Sequence, residues 1–295
     1  MSAECSETRW VSYAGALFAT TIWGLTFVAL PVALTGFAPL QIVWIRNVLG
    51  AALLFGVLKA RGGPLLPQRK DRPRCALLGV IFGAHLLVQT FAMQRTTADR
   101  AGWVIAFIPA VVALGSRVFL GRRMRVLGWA GVATASCGVA VLMATKASAL
   151  TDVVAGDWMV LSTCFTWTTY TLLSVGPMER NGALRVTAFA MIVSALPNLV
   201  AALAMPAAAL APDARSIAAL VFLGVFASAL ATWAFNVAVV AIGPTRGASF
   251  QYLQPFVTSA GAFFYLHEVP TRGVLLGGPI VLAGVWMIQR GRRAA

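Results

Sequence analysis

Apolar residues run along this chain in long blocks, and the breaks between blocks are made of charges, Pro and Gly. A helix needs about 20 mostly apolar residues to cross a bilayer. The blocks reach that length near 11–34, 39–60, 74–94, 99–120, 126–145, 156–176, 186–207, 216–240, 245–266 and 272–290. This pattern predicts ten helices joined by very short connections. No connection is long enough to hold a soluble domain, so the work of this protein is expected inside the bilayer or at its faces.

Composition points the same way. Hydrophobic residues make up 59% of the chain and charged residues 11%, whereas charged residues alone are about a quarter of a soluble domain. The chain therefore reads as an all-α integral membrane protein. Its net charge of +14 raises the question of nucleic acid, but the basic residues form short clusters between apolar runs and no stripe on a soluble domain. The expected partners are the lipid bilayer and a small-molecule substrate, with no nucleic acid. Cys5, Cys75, Cys137 and Cys164 are scattered, with no CxxC pair and no nearby His, so no metal, cofactor or disulfide is implied. The first apolar run is long enough to span and lacks a small-residue cleavage site, so MSAECSETRW leads into an anchor.

Short loops on the cytoplasmic side of a membrane carry an excess of Lys and Arg. With the N-terminus inside, that side receives 16 of them, including Arg9, the run from Lys59 to Arg74, Arg122, Arg123, Arg125, Arg180, Arg185, Arg246, Arg290, Arg292 and Arg293. The other side receives five: Arg95, Arg100, Lys146, Arg215 and Arg272. Both termini are expected in the cytoplasm of a cell whose inner membrane holds the protein.

The chain also repeats itself. At an offset of 146, residues 98–143 align without a gap to 244–289, matching Arg100 with Arg246, Pro109 with Pro255, Gly131 with Gly277 and Gly138 with Gly284. The expected organisation is two five-helix repeats, 1–148 and 149–295. Five is odd, so the second copy enters the membrane from the opposite side, and the repeats are inverted. The turns agree: GRRMR follows Leu120, and the far less basic HEVPTR follows Leu266. Pro109 and Pro255 each withdraw one backbone donor in mid-helix. The carbonyls left over, of Ile105 and Gln251, are tolerable only where they face protein or a wet cavity. Interrupted helices at matching places in inverted repeats are characteristic of secondary transporters, with substrate near the midplane. Pro109 and Pro255 are therefore expected to act as hinges.

In Trp23-Gly24 and its echo at Trp167–Tyr170, in Arg46, in Pro109 and Pro255, and in the Leu266-His267-Glu268 turn followed by Gly277 and Gly284, the chain resembles the drug/metabolite transporter superfamily, EamA type. The resemblance runs over nearly the whole chain and implies a ten-helix exporter. The aromatic-rich interior is similar to the YddG-type exporters of aromatic amino acids and paraquat-like cations. One departure is Leu120-Gly121-Arg122, where the family commonly has Leu-Gly-Glu; any role of that acid is absent from the first repeat.

Polar residues inside a membrane are costly and tend to face the bundle interior. At spacings of three or four, such stripes give His85 and Gln89 in the third span and Thr163, Trp167 and Tyr170 in the sixth. They give Thr232 and Asn236 in the eighth span, and Gln251, Gln254 and Thr258 in the ninth. Spans five and ten offer little beyond small residues, so the cavity is expected to be lined by one to four and six to nine. Gly131, Gly138, Gly273 and Gly277 fit close packing inside the molecule better than a dimer contact; a monomer or weak dimer is expected. No Asp or Glu lies in the middle of a span, which leaves coupling through His85, uniport or exchange. Arg46 lies about two turns into the second span, either snorkelling to headgroups or meeting a substrate carboxylate or a helix C-terminus. The expected substrate contacts are His85, Gln89, Trp103, Trp167, Tyr170, Asn236, Tyr252 and Gln254.

Several rings and a few amides suit an amphipathic organic solute, by stacking or by cation–π attraction to a quaternary cation. Export of aromatic and other neutral amino acids leads, with a broad exporter of drugs or quaternary cations as the alternative. An intramembrane enzyme is the reading from another class. Against it, the chain lacks Gly-x-Ser-x-Gly and gives His85 no acid orienter.

Overall fold

The computed structural model describes residues 2–121, 125–144, 151–204 and 212–291. Arg122, Arg123, Lys146, Arg292, Arg293 and the expected boundary at 148/149 lie outside the described residues. Among those described, the ordered elements are helical and no strand occurs, as a lipid-immersed backbone requires, since helices pair every amide within one segment. Among the described residues, seven helical stretches are long and apolar enough to cross a membrane: Trp10–Leu34, Pro39–Ala60, Arg69–Ala92, Ala98–Phe119, Val126–Ala144, Ala183–Ala204 and Ala214–Ile242. The predicted blocks at 156–176, 245–266 and 272–290 are helical as well.

We label the helices α1 (Ser2–Leu34), α2 (Pro39–Ala60), α3 (Arg72–Ala92), α4 (Ala98–Ile105), α5 (Ile108–Leu120), α6 (Val126–Ala144) and α7 (Thr151–Asn181). There follow α8 (Ala183–Ala204), α9 (Ala214–Phe222), α10 (Thr232–Ile242), α11 (Pro244–Ser249), α12 (Gln254–Leu266) and α13 (Arg272–Arg290). Three of the predicted blocks are interrupted. The fourth stops at Ile105 and restarts at Ile108, with Pro109 in the first turn of α5. The ninth passes from α11 through a tight 3₁₀ turn, Phe250–Leu253, into α12 with Pro255 in its first turn. The eighth widens into π-type turns over Leu223–Ala231 between α9 and α10.

Proline alone does not dictate these breaks. Pro31, Pro177, Pro197 and Pro279 all lie inside continuous helices. At Pro109 and Pro255 the helix instead ends a turn earlier and restarts with the proline in its first turn, where its missing N–H costs nothing.

α6 and α13 pack along one another away from the rest of the bundle, and α2 packs on α8, α3 on α7 and α8, α1 on α10 and α12, and α4 on α12 and α7. The α6–α13 crossing is antiparallel and backbone-close. A methyl group at Gly138 would lie 2.6 Å from Val281 N, and one at Gly277 would lie 2.6 Å from Gly138 O. Only glycine permits that approach. The helices α5 and α12 both end on a left-handed residue, Gly121 (φ 64°) and His267 (φ 56°), which are 146 positions apart. At one end of the bundle, Arg180 Nη2 donates to Asp71 at 2.7 Å and Asn181 Nδ2 donates to the same carboxylate at 2.8 Å. These bonds tie the connection before α3 to the end of α7.

Candidate functional site

The three interruptions converge on one buried space. It is lined by Trp23, Thr26 and Phe27 of α1, Arg46 of α2, Phe82, His85, Leu86 and Gln89 of α3, Ile105 and Ile108 at the first break, and Trp167 of α7. Ala227 in the π turns, Thr232 of α10, and Gln251 and Gln254 at the ninth-block break complete the wall. Ile105 and Ile108 stand 146 positions from Gln251 and Gln254, so the two breaks contribute equivalent positions with different chemistry, two aliphatic side chains against two amides. The cavity is small, about 40 Å³, room for a few waters. An organic solute needs the walls to part.

One wall is aromatic. Trp167 stacks on Tyr170 at 5.3 Å, meets Trp23 edge-on at 4.9 Å, and lies 5.3 Å from His85 and 5.7 Å from Phe235. Trp23 Nε1 donates to Ala227 O at 3.1 Å. The widened turns also receive the Thr232 hydroxyl on the same carbonyl at 3.2 Å, so one carbonyl holds two side chains. Behind the wall, Asn236 Nδ2 donates to Tyr170 Oη and to Thr187 Oγ1, each at 2.9 Å, fixing the Tyr170 ring.

The opposite features are polar and incompletely paired. Arg46 is 2% exposed, so its side chain does not snorkel. Its Nε donates to Ser228 Oγ at 2.9 Å, while Nη1 is buried with no partner among the described residues. No carboxylate lies within ion-pairing distance of it among those residues. The amide oxygens of Gln251 and Gln254 are likewise buried and unpartnered among the described residues. His85 Nδ1 lies 3.2 Å from Thr166 Oγ1, whose own hydrogen is given to Thr163 O at 3.1 Å. The ring therefore donates through Nδ1, and when it is neutral Nε2 is left as an acceptor.

Of the expected contacts, the cavity brings together His85, Gln89, Trp167, Gln254 and Arg46. Tyr170 and Asn236 stand one layer behind Trp167. Trp103 and Tyr252 are not on the wall. Trp103 lies against Gly278 and Phe256, with Nε1 donating to Ser259 Oγ at 2.9 Å. α8, expected to line the cavity, contributes no wall residue. The stripes missed Ser228, Phe82 and Phe235. Phe82 and His85 share the three-residue spacing that pointed to His85; Ser228 lies in turns that no longer follow that spacing.

Long apolar helices around a mostly apolar cavity with a few unpaired polar groups define a multi-pass membrane protein with an internal cavity. The chain belongs to the EamA-like transporter family, which matches it twice, over residues 10–144 and 154–290. It is a membrane transporter. A protein of Streptantibioticus cattleyicolor named "Probable terminal-alkyne amino-acid exporter" is 29% identical over 278 residues, covering 92% of each chain. The inner membrane transporter YedA of Escherichia coli K12 is 27% identical over 252 residues, covering 82% of this chain and 79% of its own. A solved crystal structure superposes with a TM-score of 0.69 at 17% identity, covering 96% of both chains, a likeness of fold.

Proposed function

We propose that this protein is a secondary transporter of the bacterial inner membrane that exports amphipathic solutes, aromatic and other neutral amino acids first, by alternating access of two inverted five-helix repeats. The observation that carries the substrate class is the set of unpaired groups in one cavity: a cationic donor at Arg46 Nη1 and amide acceptors at Gln251 and Gln254, beside an aromatic wall. An α-carboxylate satisfies the guanidinium, an α-ammonium satisfies the amide oxygens, and a ring stacks against Trp167. A quaternary cation gains the ring but meets Arg46 as a like charge, with no acid on the wall to offset it. The amino-acid exporter among the relatives supports this reading.

The ten-helix, inverted arrangement is supported by the two family matches and by the pairings between helices. α6 against α13, α2 against α8, and α3 against α7 reading as α10 against α1 all return the same set when the halves are exchanged. In this arrangement both termini are cytoplasmic. Pro109 and Pro255 are the hinges, because the breaks they follow are the segments that line the cavity. An enzymatic reading has no support in the relatives, which are named as transporters.

Purified protein in liposomes is expected to give saturable flux of radiolabelled phenylalanine and tryptophan, weaker flux of threonine and none of paraquat. Paraquat flux without amino-acid flux reverses the order of the two substrate classes; no saturable flux of any of the four overturns the proposal.

A further inference from the structure

Asp99 and Asp157 sit at predicted span ends, where water is expected, yet packing buries them to 2% and 0% exposure. Asp157 is compensated. Arg100 donates to it through Nε at 3.0 Å and again through Nη2, and Thr96 Oγ1 donates at 2.5 Å. Asp99 is not. Its Oδ1 accepts the hydroxyl of Ser259 on α12, and its Oδ2 is buried with no partner among the described residues.

The charged neighbours make their hydrogen bonds elsewhere. Arg100 gives Nε and Nη2 to Asp157, while its Nη1 is buried without a partner among the described residues and its charge reaches Asp99 only through space. Glu268, in the turn after α12, accepts the N–H groups of Ala98 and Asp99 at 3.1 and 2.9 Å and so caps α4. Arg95, His267 and Arg272 are exposed. The Cys164 thiol of α7 lies further down α4, at the Val104 carbonyl. α6 carries no charged residue, and those of α1 are at its far end. Asp99, Arg100 and Asp157 together leave one negative charge uncompensated in the interior.

The same residues hold a closure. Trp103 Nε1 donates to Ser259, Ser259 donates to Asp99, and the adjacent Thr258 donates to Gly24 O of α1 at 2.9 Å, so α4, α12 and α1 are joined above the cavity. At the opposite end Ser116 of α5 lies 3.3 Å from Thr245 of α11, hydroxyl to hydroxyl. Thr245 is the residue 146 positions after Asp99. The broken helices are therefore joined at both ends, each joint using one of the equivalent positions 99 and 245 with a serine whose own counterpart is an alanine, Ala113 for Ser259 and Ala262 for Ser116, and the joint is ionisable at one end.

We infer that Asp99 is an exchangeable proton site in the gate between α4 and α12. A lone carboxylate is costly to bury as an anion, so the closed joint holds Asp99 as the neutral acid. Opening hydrates the group, the O–H bond breaks, and the proton passes to water on that side while the carboxylate keeps the electron pair; closing takes one proton back. The inference rests on the transporter reading for its consequence, that opening on the outer side releases a proton there. It does not need the substrate to be an amino acid. A single buried oxygen and one hydroxyl are too few ligands for a metal cation.

Infrared difference spectra of the reconstituted full chain, stepped in pH without any solute, test the site itself. A protonated-carboxyl band is expected at neutral pH, lost in Asp99→Asn and shifted in Ser259→Ala, which leaves the carboxyl but removes its donor. Phenylalanine flux in sided vesicles tests the consequence: acidifying the outer face should slow it by up to about tenfold per pH unit, the limit for one proton, and Asp99→Asn should abolish the response. No band assignable to Asp99, a band unmoved by Ser259→Ala, or an unchanged pH response in Asp99→Asn overturns the inference, as does dependence on Na⁺ with none on pH. If Asp99→Asn fails to fold, the Ser259→Ala shift decides. A band that behaves as expected with no amino-acid flux sustains the proton site and overturns the substrate proposal.

Discussion

Replacing Arg46 with Gln should move transport and stability in opposite directions. In the empty protein the guanidinium is buried, gives one hydrogen bond to Ser228 and leaves Nη1 unpaired, with no carboxylate in reach among the described residues. A buried charge without a counter-ion costs several kcal/mol, so its removal should leave the melting temperature in detergent unchanged or higher. A bound α-carboxylate would restore the missing partner. Charge-assisted hydrogen bonds are worth about 1.5–3 kcal/mol, which converts to a half-saturation concentration for phenylalanine about 10- to 150-fold higher in Arg46→Gln. Arg46→Lys keeps the charge without the planar fork and should fall between. Initial rates in proteoliposomes over a range of phenylalanine concentrations, with thermal unfolding of the same preparations, give both numbers. An Arg46→Gln protein that melts lower and transports with wild-type half-saturation would make Arg46 a packing residue and refute the reasoning.

Pro109→Ala and Pro255→Ala restore a backbone donor and a helix former, a local gain of up to about 3 kcal/mol for straight helix; flux should fall several-fold while the melting temperature holds, and unchanged flux in both would remove the hinge. Gly284→Leu drives a side chain into the α6 backbone, where even a methyl group meets Gly131 O at 2.7 Å, and should cost at least about 1–3 kcal/mol, read as a lower melting temperature; an unchanged melting temperature would show that the crossing yields. His267→Gly relieves a left-handed backbone position at which a side chain costs about 1–2 kcal/mol, so the melting temperature should rise with flux unaltered.

Hydropathy made the helical blocks legible because the bilayer imposes a minimum length on each. Spacing made part of the site legible: His85, Gln89, Trp167 and Gln254 were found because polar side chains at intervals of three or four share a face. The same rule failed for Trp103, since depth in a membrane says nothing of which neighbour a face meets, and Trp103 meets Gly278 and Ser259. Ser228 was hidden by the π-type turns at 223–231, which no Pro marks and which shift every later side chain around the axis. Asp99 and Asp157 end apolar blocks, a position that in the sequence says nothing of burial; their burial depends on α12, α7 and the turn after α12, contacts made far away in sequence. The prolines are instructive in the opposite sense. Nine described helices contain one, in the first turn or further in, and the two proposed as hinges are singled out by the repeat, which carries information that proline chemistry alone does not.

The cap that Glu268 places on α4 gives the mismatch between the two copies a chemical reason. It accepts two N–H groups, those of Ala98 and Asp99. The corresponding positions in the other copy are Pro244 and Thr245, and Pro244 has no N–H to give. An acid at position 122 would find half its docking site deleted, and Arg122 stands there instead. Duplication thus left one site free to diverge: in one copy the residue fastens a helix start, and in the other it is one of the arginines of the GRRMR stretch.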